Sequence, residues 1–158
     1  MNQDVLCVIQ NFHKQINEPL NWHSIWMSIA HLIALRSHDP KIKVGSIIIA
    51  EDNTQLLSLG YNGNYKGGPN TRDSLETGKS GFLHAEINAL IKCDFNYPKN
   101  KIMYVTTACC KDCSKAIINS GIKKVIYDSE YTDMSGVELL KSVGIEVYQL
   151  NELLNFKS

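Results

Sequence analysis

The sequence lacks a charge excess of either sign and any long hydrophobic run. Its 158 residues carry 16 Lys+Arg against 16 Asp+Glu, a formal net charge of +0. A protein whose main partner is a long nucleic acid usually shows a basic excess, so the balance argues against that class. No apolar run approaches the roughly 18 residues of a membrane span, and residues 1–4 lack the cationic start of a signal peptide. We therefore expect no long nucleic acid and no membrane among its partners.

Cysteine is too scarce for a disulfide scaffold, since there are only 5 in the chain, an odd number. The length and a composition of 44% hydrophobic and 20% charged residues fit one globular domain spanning 1–158. We expect a cytoplasmic protein with reduced thiols. Grouped cysteines in such a protein are candidates for metal ligation or catalysis.

Apolar residues at helical spacing predict an N-terminal helical arm over residues 1–20, suited to packing at a subunit contact. A second helix is expected to follow the candidate N-cap Asn21 and to run to Arg36. Its apolar stripe is predicted to lie in the core and consists of Trp22, Ile25, Trp26, Ile29, Leu32 and Ile33.

Beyond Arg36 the pattern alternates between β-branched apolar runs and amphipathic segments. The predicted strands are 44–50, 55–59, 102–106, 125–127 and 145–150, and the predicted helices are 84–93, 111–120 and 134–143. This order indicates an α/β protein, a three-layer α/β/α sandwich with a five-stranded mixed sheet. The polar, glycine-containing stretch from Gly60 to Ser80 is a loop of about 20 residues, and loops of that length in a compact domain are usually either disordered or functional.

Two motifs lie where predicted strands meet predicted helices. The first is His84-Ala85-Glu86, and the second is Cys110-Lys111-Asp112-Cys113. Such junctions meet in one crevice of an α/β sheet, so the motifs can face each other. One imidazole and two thiolates suit tetrahedral Zn²⁺, and a set of three protein ligands leaves the fourth position open, as in catalytic sites. We therefore predict a catalytic Zn²⁺ held by His84, Cys110 and Cys113.

Glu86 lies two residues from the predicted imidazole ligand. Zinc lowers the pKa of a bound water from 15.7 to roughly 7, which generates a nucleophile that needs a proton acceptor. A carboxylate beside the metal can take that proton and deliver it to a ring nitrogen and a leaving amine. Without such a role, Glu86 would be an ordinary acid of a first helical turn.

Together the motifs match His-x-Glu … Pro-Cys-x-x-Cys, the signature of zinc nucleobase deaminases, with one departure. Cys109 occupies the position of the signature's proline. It could compete as a ligand, but Cys-x-x-Cys spacing puts the sulfurs of Cys110 and Cys113 on one helical turn. We expect Cys109 to be a packed thiol, and Cys7 and Cys93 to be structural.

The chain resembles the deoxycytidylate deaminase family, within the cytidine deaminase superfamily, from about Trp26 to Tyr148. The segments that carry the resemblance are Asp39-Pro40, Lys43-Val44-Gly45, Gly60-Tyr61-Asn62-Gly63, His84-Ala85-Glu86-Ile87-Asn88-Ala89, Met103 to Cys113, Lys115, Ser120 to Lys123 and Gly144 to Val147. The compact size resembles the viral and bacterial enzymes.

The resemblance implies hydrolytic deamination of dCMP to dUMP, which feeds thymidylate synthesis, with Glu86 as proton shuttle. By the same resemblance Asn62 contacts the nucleoside sugar, and Val44 and Ala85 line the base pocket. Lys115 and Tyr131 match positions near the ligand phosphate.

The family is typically a hexamer that dCTP activates and dTTP inhibits, each with Mg²⁺, at a site separate from the catalytic one. The glycine-rich loop is the expected effector site, because main-chain amides in such turns bind anions and Arg can bind phosphate bidentately. The expected effector contacts are Gly63, Lys66, Gly67, Gly68, Asn70 and Arg72.

Several rival functions remain open. Deaminases of free cytidine, guanine, riboflavin precursors or tRNA adenosine share the zinc motifs, although the balanced charge disfavours tRNA. dCTP could also be a substrate if the phosphate pocket is open-ended. A structural zinc module or a non-catalytic DNA-uptake relative is a further alternative, which the retained Glu86 disfavours.

Overall fold

The computed structural model describes residues 19–154. Most of the predicted N-terminal arm (1–20), and with it Cys7, lies outside the described residues. The described part contains five helices and five strands. The helices are α1 (Trp22–Ala34), α2 (Ala85–Lys92), α3 (Lys111–Asn119), α4 (Ser135–Ser142) and α5 (Leu150–Leu154). The strands are β1 (Gly45–Ala50), β2 (Leu56–Tyr61), β3 (Lys101–Thr107), β4 (Lys124–Ser129) and β5 (Glu146–Gln149).

The five strands form one mixed sheet in the order β2-β1-β3-β4-β5. The hairpin strand β1 runs antiparallel to both β2 and β3, while β3, β4 and β5 are mutually parallel neighbours. The parallel strands are joined by α3 and α4, as crossover connections require. The predicted mixed sheet is confirmed.

The sheet is buried on both faces, which gives three layers. Side chains alternate along β1, so Ile47 and Ile49 pack with α1 and α5, while Ile48 packs on the side of α2, α3 and α4. All six residues of β1 are buried. The three-layer α/β/α sandwich is therefore as predicted. In the part of the chain described, no helix is long and apolar enough to cross a membrane.

Helix α1 begins as predicted but buries a different face. The Asn21 side chain accepts a hydrogen bond of 2.7 Å from the backbone N–H of His23, so Asn21 is the N-cap. The helix ends at Ala34, not at Arg36. Its buried residues are Trp26, Met27, Ala30 and Ala34, whereas Trp22 is 52% and Leu32 is 38% exposed. The predicted stripe was wrong at those two positions because the helix packs on the sheet through its alanines.

Candidate metal centre and substrate cavity

The first motif lies at the N-terminus of α2. His84 is the N-cap residue, with extended backbone, and Glu86 is in the first helical turn. Strand β2 fixes the position of this helix, since a Cβ atom on Gly60 would collide with the backbone of Ala85 and Ala89. Glycine thus permits the close approach of strand and helix that sets His84 and Glu86 against the sheet.

The second motif lies at the N-terminus of α3 in the same manner. Cys110 is the N-cap residue, with φ −71° and ψ 167°, and Cys113 is in the first turn. Helix α4 packs directly on the backbone of Cys109 and Cys110: a Cβ on Gly136 would collide with both carbonyls. The helix dipole of α3 favours negative charge at Cys110, its N-cap, whereas the hydrogen bond with Cys110 and burial raise the pKa of Cys113.

The structure brings His84, Cys110 and Cys113 together. The Nδ1 atom of His84 lies 3.4 Å from Sγ of Cys110 and 3.3 Å from Sγ of Cys113, and the three ligand atoms lie within 4.8 Å of one another. Ligand atoms around a tetrahedral Zn²⁺, with bonds of 2.0–2.3 Å, would be separated by about 3.3–3.8 Å. The spacing and the soft N/S donor set therefore fit zinc.

The three clustered side chains shift one another's pKa values. Hydrogen bonds from Cys113 and then His84 lower the pKa of Cys110 to about 4, against the opposing effect of burial. The hydrogen bond with Cys110 in turn raises the pKa of His84. A thiolate that is already favoured at neutral pH is the form that binds metal.

Glu86 is a buried carboxyl, only 4% exposed, beside this cluster. Burial raises its pKa, because desolvation disfavours the charged form. Cys109 is 1% exposed, and burial together with the neighbouring Glu86 carboxyl raises the pKa of its thiol. Within the described range, the metal-ligand cluster includes neither Cys109 nor the half-buried Cys93.

A cavity of about 330 Å³ opens beside the cluster. His84, Glu86 and Cys110 line it, and so do four of the five residues that the resemblance assigned to the substrate: Val44, Asn62, Ala85 and Tyr131. Lys115 does not line it. Its ammonium pairs instead with Asp112 at 2.9 Å on the exposed side of α3.

The residues expected to bind an effector separate into two groups. Gly63, Lys66, Gly67, Gly68 and Asn70 lie outside the cavity lining. Arg72, by contrast, lines the cavity and forms an ion pair with Asp39. The structure thus separates Arg72 from Gly63, Gly67 and Gly68, while Gly78 of the same loop also lines the cavity.

Sequence reasoning missed several polar residues of the cavity wall, namely Asp39, Lys41, Thr77, Ser80, Glu130 and Thr132. In the sequence, Asp39 is notable only as part of the family-like segment Asp39-Pro40, yet its side chain is buried, at 1% exposure. Lys41 extends its ammonium to the carbonyl of Leu75 at 2.8 Å and to Oγ1 of Thr77 at 3.3 Å. For Asp39, the only signal in the residues themselves is an acid directly before proline. That pattern occurs in turns and does not predict that the side chain lines a cavity.

A family model described as the cytidine and deoxycytidylate deaminase zinc-binding region matches residues 20–129. Both motifs, the hairpin and the long loop fall inside this match.

Two curated relatives illustrate the range of similar proteins. ComE operon protein 2 of Bacillus subtilis is 34% identical over 140 residues, covering 84% of this chain and 73% of that protein. Human deoxycytidylate deaminase is 34% identical over 125 residues, covering 74% of this chain and 70% of the relative. The crystal structure of a dCMP deaminase from cyanophage S-TIM5 in complex with dCMP and dUMP is 32% identical. It has a TM-score of 0.70, over 83% of this chain and 99% of that one.

Proposed function

The chain belongs to the family of cytidine and deoxycytidylate deaminases, and from that membership we propose that it hydrolyses dCMP to dUMP and ammonia. The observation that carries the proposal is the buried Glu86 beside the His84, Cys110 and Cys113 cluster, at a cavity of about 330 Å³. A similar protein of known structure binds dCMP and dUMP. A buried carboxyl beside a three-ligand cluster serves catalysis, since a structural zinc site is usually closed by four ligands.

The three clustered side chains are the proposed zinc ligands. When bound, Zn²⁺ supplies Lewis acidity that lowers the pKa of water to roughly 7. His84, Cys110 and Cys113 would hold the ion at the N-termini of α2 and α3, beside the cavity.

Glu86 is the proposed general acid and base. Its carboxylate accepts the first proton of the attacking water and passes it to the pyrimidine ring nitrogen. It then accepts the second proton, from the hydroxyl formed at C4, and delivers it to the amine, which departs as ammonia while the C4 carbonyl forms. Burial assists both transfers, because it raises the pKa of Glu86 and so brings the acid nearer to neutral pH.

The proposed substrate contacts follow the cavity wall. Val44 and Ala85 pack against the base, and Asn62 is the sugar-side residue. The hydroxyl of Tyr131 and the ammonium of Lys41 donate hydrogen bonds to the phosphate. We choose Lys41 over Lys115 because Lys41 lines the cavity and its ammonium bonds only to neutral oxygens, while Lys115 is paired with Asp112.

Regulation is a separate part of the proposal. The exposed turn with Gly63, Lys66, Gly67, Gly68 and Asn70 would bind dCTP or dTTP with Mg²⁺. Its support is the left-handed φ of 84° at Gly67 and the exposure of Lys66 and Asn70. Rate measurements at micromolar to millimolar dCTP and dTTP test it, and a flat response to both would contradict it.

The proposal also includes a hexamer in the cytoplasm. Large apolar side chains stay exposed on the described surface, among them Leu35 (65%), Ile91 (71%) and Phe95 (70%), as subunit contacts would require. Reduced thiols, which the ligands Cys110 and Cys113 need, are normal in the cytoplasm.

The direct test is to incubate the zinc-loaded protein with dCMP and to measure ammonia and dUMP. The same assay with deoxycytidine, dCTP and cytidine ranks the rival substrates. Glu86→Ala should keep its zinc and lose turnover. A wild-type protein that binds zinc but turns over none of the four compounds would favour a non-catalytic relative.

A further inference from the structure

The cavity contains one buried ion pair that the reaction itself does not use. Arg72 Nη1 contacts Asp39 Oδ2, and the two side chains are 6% and 1% exposed. Both residues line the cavity. Arg72 comes from the long loop and Asp39 from the segment before β1, so the pair joins two separate parts of the wall.

The Asp39 carboxylate organises the segment that follows it. Its Oδ1 accepts the backbone N–H of Lys41 at 2.8 Å and that of Ile42 at 3.3 Å. Its Oδ2 accepts a hydrogen bond from Nδ2 of Asn62 at 3.1 Å. The carboxylate is thus the centre of a network that includes Asn62.

Asn62 continues the network to Val44. Its Oδ1 accepts the backbone N–H of Val44 at 2.8 Å, and its Nδ2 also donates to the carbonyl of Ile42 at 2.9 Å. The Asn62 side chain therefore has fixed partners on both its oxygen and its nitrogen. Its orientation depends on an acceptor at Asp39, and the position of Val44 depends on Asn62.

We propose that Arg72 is a positioning residue, which keeps Asp39 ionised in its buried place and thereby holds Asn62 and Val44 in the geometry that receives the substrate. Only the expected loss of dCMP turnover rests on the proposed function; the positioning of Asn62 does not. A buried carboxylate needs a charged partner, and the other groups that contact Asp39 are neutral amides.

No other charged side chain among the described residues contacts the Asp39 carboxylate. The remaining titratable groups of the cavity lining are Lys41, His84, Glu86, Cys110, Glu130 and Tyr131. Lys41 directs its ammonium at Leu75 and Thr77. The hydrogen bonds from Lys41 N–H and Arg72 lower the pKa of Asp39 although burial opposes them. Removing Arg72 should therefore raise that pKa.

The test compares Arg72→Met with Arg72→Lys, and with the double variant Asp39→Asn/Arg72→Met, from pH 6 to pH 8. We expect Arg72→Met to lower kcat/KM for dCMP about tenfold or more at pH 8, with zinc content unchanged. The loss should shrink towards pH 6, because protonation of Asp39 removes the unpaired charge. Arg72→Lys should lose less, and the double variant should show no such pH dependence.

Lys79→Met is the matched control, since Lys79 is a cation of the same loop in an exposed pair with Glu76. A loss in Arg72→Met that is independent of pH, or no larger than in the control, overturns the proposal. So does a double variant that keeps the pH dependence of Arg72→Met, since it has no carboxyl at position 39 to titrate. If Arg72→Met fails to fold, the double variant should still fold, because Asp39→Asn removes the buried charge that Arg72→Met leaves unpaired.

A second measurement does not depend on activity. The side-chain amide NMR signals of Asn62 should shift with pH in Arg72→Met and stay constant in the wild type and in Lys79→Met. If the wild type does not deaminate dCMP but these signals behave as expected, the proposed function fails and the positioning role stands. Constant Asn62 signals in Arg72→Met contradict the positioning role whatever the substrate.

Discussion

The metal side of the cavity and its loop side are held by different kinds of contact. On the metal side, His84 and Cys110 are helix N-caps, and glycines at positions 60 and 136 let the packed backbone come close to both helix starts. On the loop side, single side-chain hydrogen bonds connect the segment 39–44 with the loop 72–80. Arg72 pairs with Asp39, and the ammonium of Lys41 donates to the carbonyl of Leu75 and to Oγ1 of Thr77.

This difference separates two functions of one cavity. A change on the metal side should remove zinc or the proton shuttle, so that little activity remains. A change on the loop side should leave zinc binding and proton transfer unchanged. It should alter the affinity for the substrate and the pH dependence of that affinity.

The largest effect is expected for a zinc ligand. Cys113→Ala should lose both zinc and turnover, because two remaining ligands hold the ion too weakly. Metal content and dCMP turnover, measured on the same preparation, check this. Cys109→Ala is the matched control: it should keep full zinc and lose about 1–2 kcal/mol of stability from the buried cavity it leaves. Loss of zinc in Cys109→Ala would show that Cys109 is a ligand after all.

A smaller effect on the same side is expected for Gly136→Ala. The added methyl group collides with the carbonyls of Cys109 and Cys110, so Cys110, a proposed ligand, must shift. We expect zinc affinity to fall about tenfold, the size of effect usual for groups that orient metal ligands. Competition with a chelator measures it, with Ser142→Ala on the same helix as control. Equal zinc affinity in the two variants would mean that α4 does not fix Cys110.

On the loop side, Lys41→Met should raise KM for dCMP about tenfold, because a hydrogen bond from a charged donor is lost. KM for deoxycytidine, which has no phosphate, should not change. Lys115→Met provides the comparison, since its ammonium is already paired with Asp112. If Lys115→Met shifts the preference for dCMP and Lys41→Met does not, the assignment from the family resemblance is the better one.

The smallest effect is expected away from both sides, on the opposite face of the sheet. Asn21→Ala removes the cap of α1 and should cost about 1 kcal/mol in the free energy of unfolding. Denaturant unfolding measures the loss, and Asn21→Ser should restore most of it. Unchanged zinc content and kcat/KM in Asn21→Ala would show that stability and catalysis respond separately. A drop in zinc content would contradict the division proposed above.

The metal side could be predicted from the sequence because its chemistry is local. His84 and Glu86 are two residues apart in the sequence, and Cys110 and Cys113 are three apart. Each pair lies at the start of a helix, and the neighbouring strands could be predicted from runs of β-branched residues. The mixed sheet followed from the same alternation of strands and helices.

The loop side could not be predicted, because its contacts join distant residues without a periodic pattern. Arg72 and Asp39 are 33 positions apart. In the sequence, Asp39 belongs to the family-like segment Asp39-Pro40, and Arg72 is a cation of a glycine-rich loop that suits phosphate. Neither pattern predicts that the two side chains pair. The buried face of α1 was missed for a related reason: helical spacing identifies apolar residues, but the alanines decide which face fits the sheet.

The central claim is that Glu86 moves the proton at a cavity whose metal ligands are His84, Cys110 and Cys113. The most direct test is kcat for dCMP in Glu86→Gln at zinc occupancy equal to that of the wild type. A neutral side chain of the same shape cannot accept the proton, so we predict a loss of at least about 10³-fold with zinc retained. A variant that keeps its zinc and turns over dCMP within tenfold of the wild type would contradict the account.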